Sequence, residues 1–220
     1  MADIIPPSIN ERAKFEDFPN IGLMFIRFTE QELKPVIDEI NKIKENFNLG
    51  VPMNYSLAGN IKHEYKLFDS VAYLDTILVG YVINYIRKYD LGKKADVMLQ
   101  YPEKIKIGNV WANYQQKHEF NPVHCHSGVV SFVIWLDIPY KSSDEVSLSR
   151  SDKSNYPVAG KFSFLYSDSL GGSKATVLPV DKDWNLTVCL FPSQMNHVVY
   201  PFYSSDDYRI TISGNYFFDY

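Results

Sequence analysis

The stretch Asn121-Pro122-Val123-His124-Cys125-His126-Ser127-Gly128 sets two imidazoles one residue apart. In extended chain, side chains at i and i+2 project to the same side, so His124 and His126 can converge on one metal ion while Cys125 turns away. A third ligand is still needed. His197, in Phe191-Pro192-Ser193-Gln194-Met195-Asn196-His197, supplies a candidate 73 residues after His124. Arg209 follows twelve residues later in the strand-like run Tyr208-Arg209-Ile210-Thr211-Ile212-Ser213. A close pair, a distant histidine and then an arginine suit a mononuclear iron site, where three protein ligands hold one face of the ion and leave its other positions open. That separation places the distal histidine several strands away, as a jelly roll requires when ligands on different strands meet inside the barrel.

The rest of the chain has the pattern of such a barrel. From about residue 104 onward, short β-rich runs alternate with turn residues: 105–115, 129–138, 161–166, 175–180, 186–191 and 208–218. The polar segment 140–157, rich in Ser and Asp, reads as a long loop at the barrel mouth. The first half reads helical twice. Over 33–47, Val36, Ile40, Ile43 and Phe47 recur at helical spacing, and Pro35 suits the first turn. Over 70–89, Val71, Leu74, Leu78, Tyr81 and Tyr85 line one face, with Asp69 or Ser70 as the cap. Helices followed by about eight strands, without βαβ alternation, predict a mainly β fold with flanking helices: a double-stranded β-helix, or jelly roll, supported by N-terminal helices. The chain reads as one domain over 1–220, with a helical support region at 1–103 and a jelly-roll core carrying the metal site at 104–220.

Composition narrows the partners. With 22 Lys+Arg against 26 Asp+Glu, the net charge of −4 and the lack of a basic block argue against nucleic acid or an anionic membrane surface. Two cysteines make no disulfide framework, and Met1-Ala2-Asp3-Ile4-Ile5-Pro6-Pro7 has neither a basic nor an apolar leader region, so a cytoplasmic setting is expected. The most apolar stretch, 71–86, contains Asp75 and Asn84 and falls short of the roughly 20 residues of a membrane span. His63 and His118 read as ordinary surface or helix positions, Cys125 and Cys189 as buried small residues, and Trp135 and Trp184 as core.

On Tyr114, the segment Phe120 to Gly128, the strand Ser131 to Leu136, the Phe-Pro-Ser run before His197, and Arg209 with Thr211, the chain resembles the iron(II)- and 2-oxoglutarate-dependent dioxygenases. The likeness is to their prolyl-hydroxylase-like branch and to oxygenases of that branch encoded by marine bacteriophages. It covers about 109–219. The resemblance implies that His124, His126 and His197 hold Fe(II) and form the catalytic centre. It implies that Arg209 and Thr211 bind the distal carboxylate of 2-oxoglutarate, and that Tyr114, ten residues before His124, bonds in the co-substrate pocket. Arginine suits that role because its planar guanidinium grips a carboxylate with two parallel hydrogen bonds. The implied reaction is hydroxylation of an unactivated C–H bond, with prolyl residues of a protein or peptide as substrate and ascorbate as an additional reductant. A phage-encoded enzyme of this kind would act in the host cytoplasm.

The chain departs from that family where His126 stands in place of the Asp or Glu of a His-x-Asp/Glu motif. A further co-substrate tyrosine on the next strand is replaced by Ile134 and Trp135. Three neutral imidazoles leave the centre one negative charge short. Two other readings stay open on the sequence: a cupin-like dioxygenase with a three-histidine site that uses no 2-oxoglutarate, and a metal-binding jelly-roll module without catalysis.

Overall fold

The computed structural model describes residues 20–94, 104–149 and 153–219. In chain order its strands are β1 (Met24–Arg27), β2 (Val51–Pro52), β3 (Glu64–Lys66), β4 (Lys104–Gln115), β5 (Asn121–His124), β6 (Val130–Asp137), β7 (Phe162–Ser167), β8 (Ser173–Leu178), β9 (Thr187–Pro192), β10 (Asn196–Val199) and β11 (Arg209–Asp219). The helices are α1 (Glu30–Glu45), α2 (Val71–Tyr89), α3 (Leu91–Lys94) and α4 (Ser142–Leu148). Seven strands form one sheet in the order β1-β9-β6-β11-β4-β3-β2, and four form a second in the order β5-β10-β7-β8. Every pairing within the two sheets is antiparallel, and the sheets face each other as a jelly roll.

The centre of the larger sheet is buried on both faces, and alternation divides its residues between them. Along β11, Ile210, Ile212, Tyr216 and Phe218 pack against the helices, with Leu33, Val36 and Ile40 of α1 and Leu74, Leu78 and Val82 of α2. Arg209, Thr211 and Ser213 point the other way, into a cavity between the sheets. In β4 the parity changes midway. Gly214 pairs with Val110 but Tyr216 pairs with Ile107, so β4 carries one extra residue, a bulge. Ile105 and Ile107 face the helices before the bulge, and Val110, Ala112 and Tyr114 after it. That leaves Trp111, Asn113 and Gln115 to line the cavity.

α1 begins earlier than the periodicity suggests. Thr29 caps it through a reciprocal box: Glu32 N–H donates to Thr29 Oγ1 (3.3 Å) and Thr29 N–H donates to Glu32 Oε2 (2.8 Å). Pro35 therefore lies inside the helix rather than in its first turn. The start of α2 differs as well. Ser70 occupies the cap position but makes no side-chain cap bond; instead the buried Glu39 of α1 accepts from the backbone N–H groups of Phe68, Asp69 and Ser70 and from the Ser70 hydroxyl. Burial alone raises the Glu39 pKa, but these four donors outweigh it and hold the carboxyl below its ordinary value of 4.5.

From residue 104 onward the structure has the eight strands expected, but the 1–103 region is not helical throughout. It contributes β1 and β3 to the edges of the central sheet, with β2 outside β3. The 140–157 segment holds α4, whose buried Glu145 accepts from the backbone N–H groups of Tyr203 and Ser204 and from the Ser204 hydroxyl. Residues 150–152 of that segment, the N-terminal stretch through residue 19, and 95–103 lie outside the described residues. Among the described residues no helix is long and apolar enough to cross a membrane.

Glu39→Gln leaves α2 with a poorer acceptor for three backbone donors. We expect a loss of about 1–3 kcal/mol in urea unfolding at neutral pH. A carboxylate with a depressed native pKa adds stability above its unfolded value and loses it in acid, so the gap between variant and wild type should narrow below about pH 4.5. A gap that stays constant with pH would rule out the charged acceptor.

Candidate metal centre and active site

Strands β5 and β10 pair so that His124 and His197 are register partners across the smaller sheet. The chain leaves β5 at His124, and the His126 N–H donates to Ser193 O at 2.8 Å, which holds the second histidine beside the first. Gly128 closes this turn at φ +111°, where a Cβ would lie 2.8 Å from Tyr216 O, so both the backbone conformation and the space call for glycine. The ring centroids lie 4.9 Å (His124–His126), 4.2 Å (His124–His197) and 5.0 Å (His126–His197) apart. One nitrogen from each ring lies within 4.8 Å of the others.

The imidazoles are prepared as ligands. His124 Nδ1 lies 2.7 Å from Pro122 O, and His197 Nδ1 lies 2.9 Å from Met195 O. Carbonyls only accept, so Nδ1 carries the proton in each and Nε2 keeps its lone pair. Burial lowers all three pKa values, His126 to about 4 and His197 to about 3, with the neighbouring His124 adding to the shift in both. At neutral pH the site therefore presents three uncharged nitrogen donors. This set fits a divalent transition-metal ion of the iron type. Phe162 stacks on the His197 ring at 5.5 Å, and Trp111 flanks His126 at 5.5 Å.

The histidines open onto a cavity of about 160 Å³ whose opposite wall is the inner face of β11, β4 and β3. Arg209 is only 1% exposed there. Its Nε and Nη2 both donate to Gln115 Oε1 (3.1 and 2.6 Å), Nη1 to Tyr140 Oη and Gly160 O (2.6 and 3.0 Å), and Nη2 also to Tyr200 O (3.0 Å). All five donors are used, yet every acceptor is neutral, and among the described residues no carboxylate pairs with the guanidinium. A buried cation without a counter-ion is costly, and the amide oxygen in its side-on fork sits where one oxygen of a carboxylate would bind. The arrangement fits a small dianion such as 2-oxoglutarate.

One rung along, Thr211 pairs with Asn113, whose Nδ2 donates to Thr211 Oγ1 at 3.1 Å, and Asn113 pairs in turn with Glu64 of β3. Glu64 is 1% exposed and lines the cavity. Burial, with the charge of Glu119 adding to it, pushes its pKa up to about 7.

The structure thus brings His124, His126, His197, Arg209 and Thr211 around one cavity. Tyr114 is not among them. After the bulge its position in β4 faces the helices, where it is fully buried and its hydroxyl donates to Ile40 O at 2.8 Å. The co-substrate role expected of it is therefore withdrawn. Cys125 is exposed rather than buried, while Cys189 is buried as expected. Glu64, Asn113, Gln115 and Tyr140 were not picked out from the sequence. For Asn113 and Gln115 a signal existed, because polar residues alternate there with Val110, Ala112 and Tyr114.

Residues 109–215, which hold all three histidines and Arg209, match the family model described as "Putative 2OG-Fe(II) oxygenase". That segment is just under half of the chain, and over it the sequence is similar to the 2-oxoglutarate- and iron(II)-dependent oxygenases. Among solved structures, a Pseudomonas putida prolyl-4-hydroxylase aligns with a TM-score of 0.53 over 90% of this chain and 94% of its own, at 14% identity. A prolyl hydroxylase from Trichoplax adhaerens, in complex with a hypoxia inducible factor oxygen degradation domain peptide fragment, aligns at 0.50 over 90% and 84%, also at 14% identity. At that identity the two likenesses establish the shared jelly-roll fold. No curated protein sequence matches this chain.

The burial of Glu64 gives a stability signature. Because its native pKa lies above its unfolded value of 4.5, the native state holds the proton longer, and this group's contribution to stability falls as pH rises from about 4.5 through about 7. Glu64→Gln does not ionise, so its melting temperature should gain on wild type between pH 5 and pH 8. An offset independent of pH would show that Glu64 titrates as an ordinary carboxylate.

Proposed function

We propose that this chain is an iron(II)- and 2-oxoglutarate-dependent oxygenase that hydroxylates an unactivated C–H bond in a prolyl residue of a protein or peptide. In this reading His124, His126 and His197 hold the iron, and Arg209 with Thr211 receives the distal carboxylate of 2-oxoglutarate. One observation carries the site assignment: a buried arginine without an anionic partner shares a cavity with three converging, uncharged imidazoles. The prolyl substrate rests on the resemblance to prolyl hydroxylases and on the peptide seen with one structural neighbour.

Iron(II), when bound, supplies the oxygen-activating redox chemistry that side chains lack. The chain's residues do the rest. The Nδ1–H bonds to Pro122 O and Met195 O fix the orientation of His124 and His197. Arg209, braced by Tyr140, Gly160 and Tyr200, gives a fixed fork in which an incoming carboxylate replaces the weaker amide oxygen of Gln115. Trp135, Phe162 and Phe191 wall the cavity with apolar surface that limits water, and the 56–59 segment completes the wall beside Asn121.

The direct test is succinate formation from 2-oxoglutarate by the Fe(II)-loaded protein in air, with and without proline-containing peptides. We expect turnover that those peptides stimulate. Arg209→Lys should raise the KM for 2-oxoglutarate about tenfold or more, because an ammonium cannot reproduce the fork, while leaving metal content unchanged. An unchanged KM would remove Arg209 from co-substrate binding, and lack of stimulation by any prolyl peptide would remove the prolyl substrate.

His126→Asp returns a carboxylate to the position at which the chain leaves the family pattern. It should retain one metal ion per chain, measured by elemental analysis, and raise the rate of 2-oxoglutarate-dependent succinate formation by lowering the charge on the centre. Loss of the metal in this variant would show that the backbone at 126 presents only an imidazole, not a shorter side chain, to the ion.

A further inference from the structure

Glu64 has no part in holding iron or 2-oxoglutarate, yet it lies in the wall of the same cavity. Its only side-chain hydrogen-bond partner among the described residues is Asn54, whose Nδ2 donates to Oε2 at a long 3.3 Å. Among those residues no lysine or arginine pairs with it. Two more acceptors lie close by. Asn113, the register partner of Glu64, gives its Nδ2 to Thr211 and leaves its buried Oδ1 without a donor. Asn121 at the start of β5 also has a buried Oδ1 without a donor. Gly59 brings Asn121 and Glu64 together: a Cβ there would collide with both Asn121 Oδ1 and Glu64 Oε1. The bridge between Asn60 and Phe120, with Asn60 N–H donating to Phe120 O at 2.8 Å, holds that close approach.

A carboxylate and two amide oxygens, all short of donors, form a site that only a donor-rich group can satisfy. We propose that Glu64, Asn113 and Asn121 form an acceptor subsite that binds a cationic nitrogen of the substrate, an ammonium or a guanidinium. This rests on the reading of the cavity as the place where substrate is hydroxylated. Arg209 at one part of the wall and Glu64 at another then each receive a counter-charge from a different molecule. The cation has two possible sources, a basic side chain next to the target prolyl residue or the ring nitrogen of free proline, and both present charged N–H donors.

The test measures binding rather than turnover, so its outcome is independent of succinate formation. The protein is loaded with Co(II) and 2-oxoglutarate and titrated calorimetrically at pH 8. The probes come in pairs: acetyl-Lys-Pro-Lys-amide against its doubly Nε-acetylated form, and L-proline against N-acetyl-L-proline. We expect the cationic member of one pair to bind about tenfold or more tightly than its neutral counterpart, as a charge-assisted bond requires; which pair responds identifies the source. Glu64→Gln should abolish the difference and Glu64→Asp should keep part of it, with both variants still binding Co(II). Equal binding within both pairs, no binding of any probe at millimolar concentration, or a preference that survives Glu64→Gln overturns the proposal. Succinate formation without a cation preference would sink the subsite alone; a cation preference without succinate formation would sink the co-substrate reading alone.

Discussion

The antiparallel register between β4 and β11 is the constraint on which the site depends. It sets Arg209 against Gln115 and Thr211 against Asn113, and the pairing of β4 with β3 extends the second rung to Glu64. The bulge near Gly108 decides which residues of that ladder see the cavity. Without the extra residue, the alternation that places Ile105 and Ile107 on the helix face would continue unbroken, and Trp111, Asn113 and Gln115 would turn toward α1 and α2. A slip of one residue would therefore exchange a polar cavity wall for an apolar one. The two helices help hold this choice in place, because their apolar stripes accept only the Val110, Ala112 and Tyr114 side of β4.

The same division of faces explains the unequal distribution of buried charge. On the helix side, Glu39 is buried but fully answered by donors at the start of α2, and its pKa falls. On the cavity side, Glu64 is buried without such answers, and its pKa rises. Two carboxylates of similar burial thus move in opposite directions, and the deciding quantity is the number of donors aimed at each. Structural burial tends to be satisfied burial. Glu64 breaks that rule in the cavity, and Arg209 beside it, although all five of its donors are used, lacks a charged partner among the described residues.

Much of this was legible in the sequence where the signal is local. Alternating apolar residues marked six of the eight strands after residue 104, and helical periodicity marked α1 and α2. The two missed strands, β5 and β10, are four residues each and carry His124 and His197. With Pro122 in one and Asn196 in the other, they lack the apolar alternation that announces a strand. Spacing to His197 and Arg209 nonetheless placed both on the cavity. Spacing failed for Tyr114, because it says nothing of which sheet face a residue occupies once a bulge has shifted the parity. Glu64 was beyond reach for another reason: its environment depends on pairing β3 with β4 across a long, non-local connection, and a glutamate in a polar segment otherwise reads as solvated.

The replacement of the usual carboxylate by His126 can be weighed against this wall. A divalent ion held by two imidazoles and a carboxylate carries one net positive charge in its ligand cage; held by three imidazoles it carries two. In a cavity of about 160 Å³ lined with Trp135, Phe162 and Phe191, that additional charge is poorly screened by solvent and acts on everything that enters. It favours a dianionic co-substrate and disfavours a cationic substrate group, unless a fixed negative charge stands where the cation must sit. Glu64 meets that requirement from the neighbouring sheet once it is ionised, above about pH 7. The carboxylate lost from the metal-binding motif and the carboxylate buried in β3 are thus linked through the electrostatics of one enclosed space. Moving the negative charge from the ion to the wall shifts its influence from the metal to the substrate.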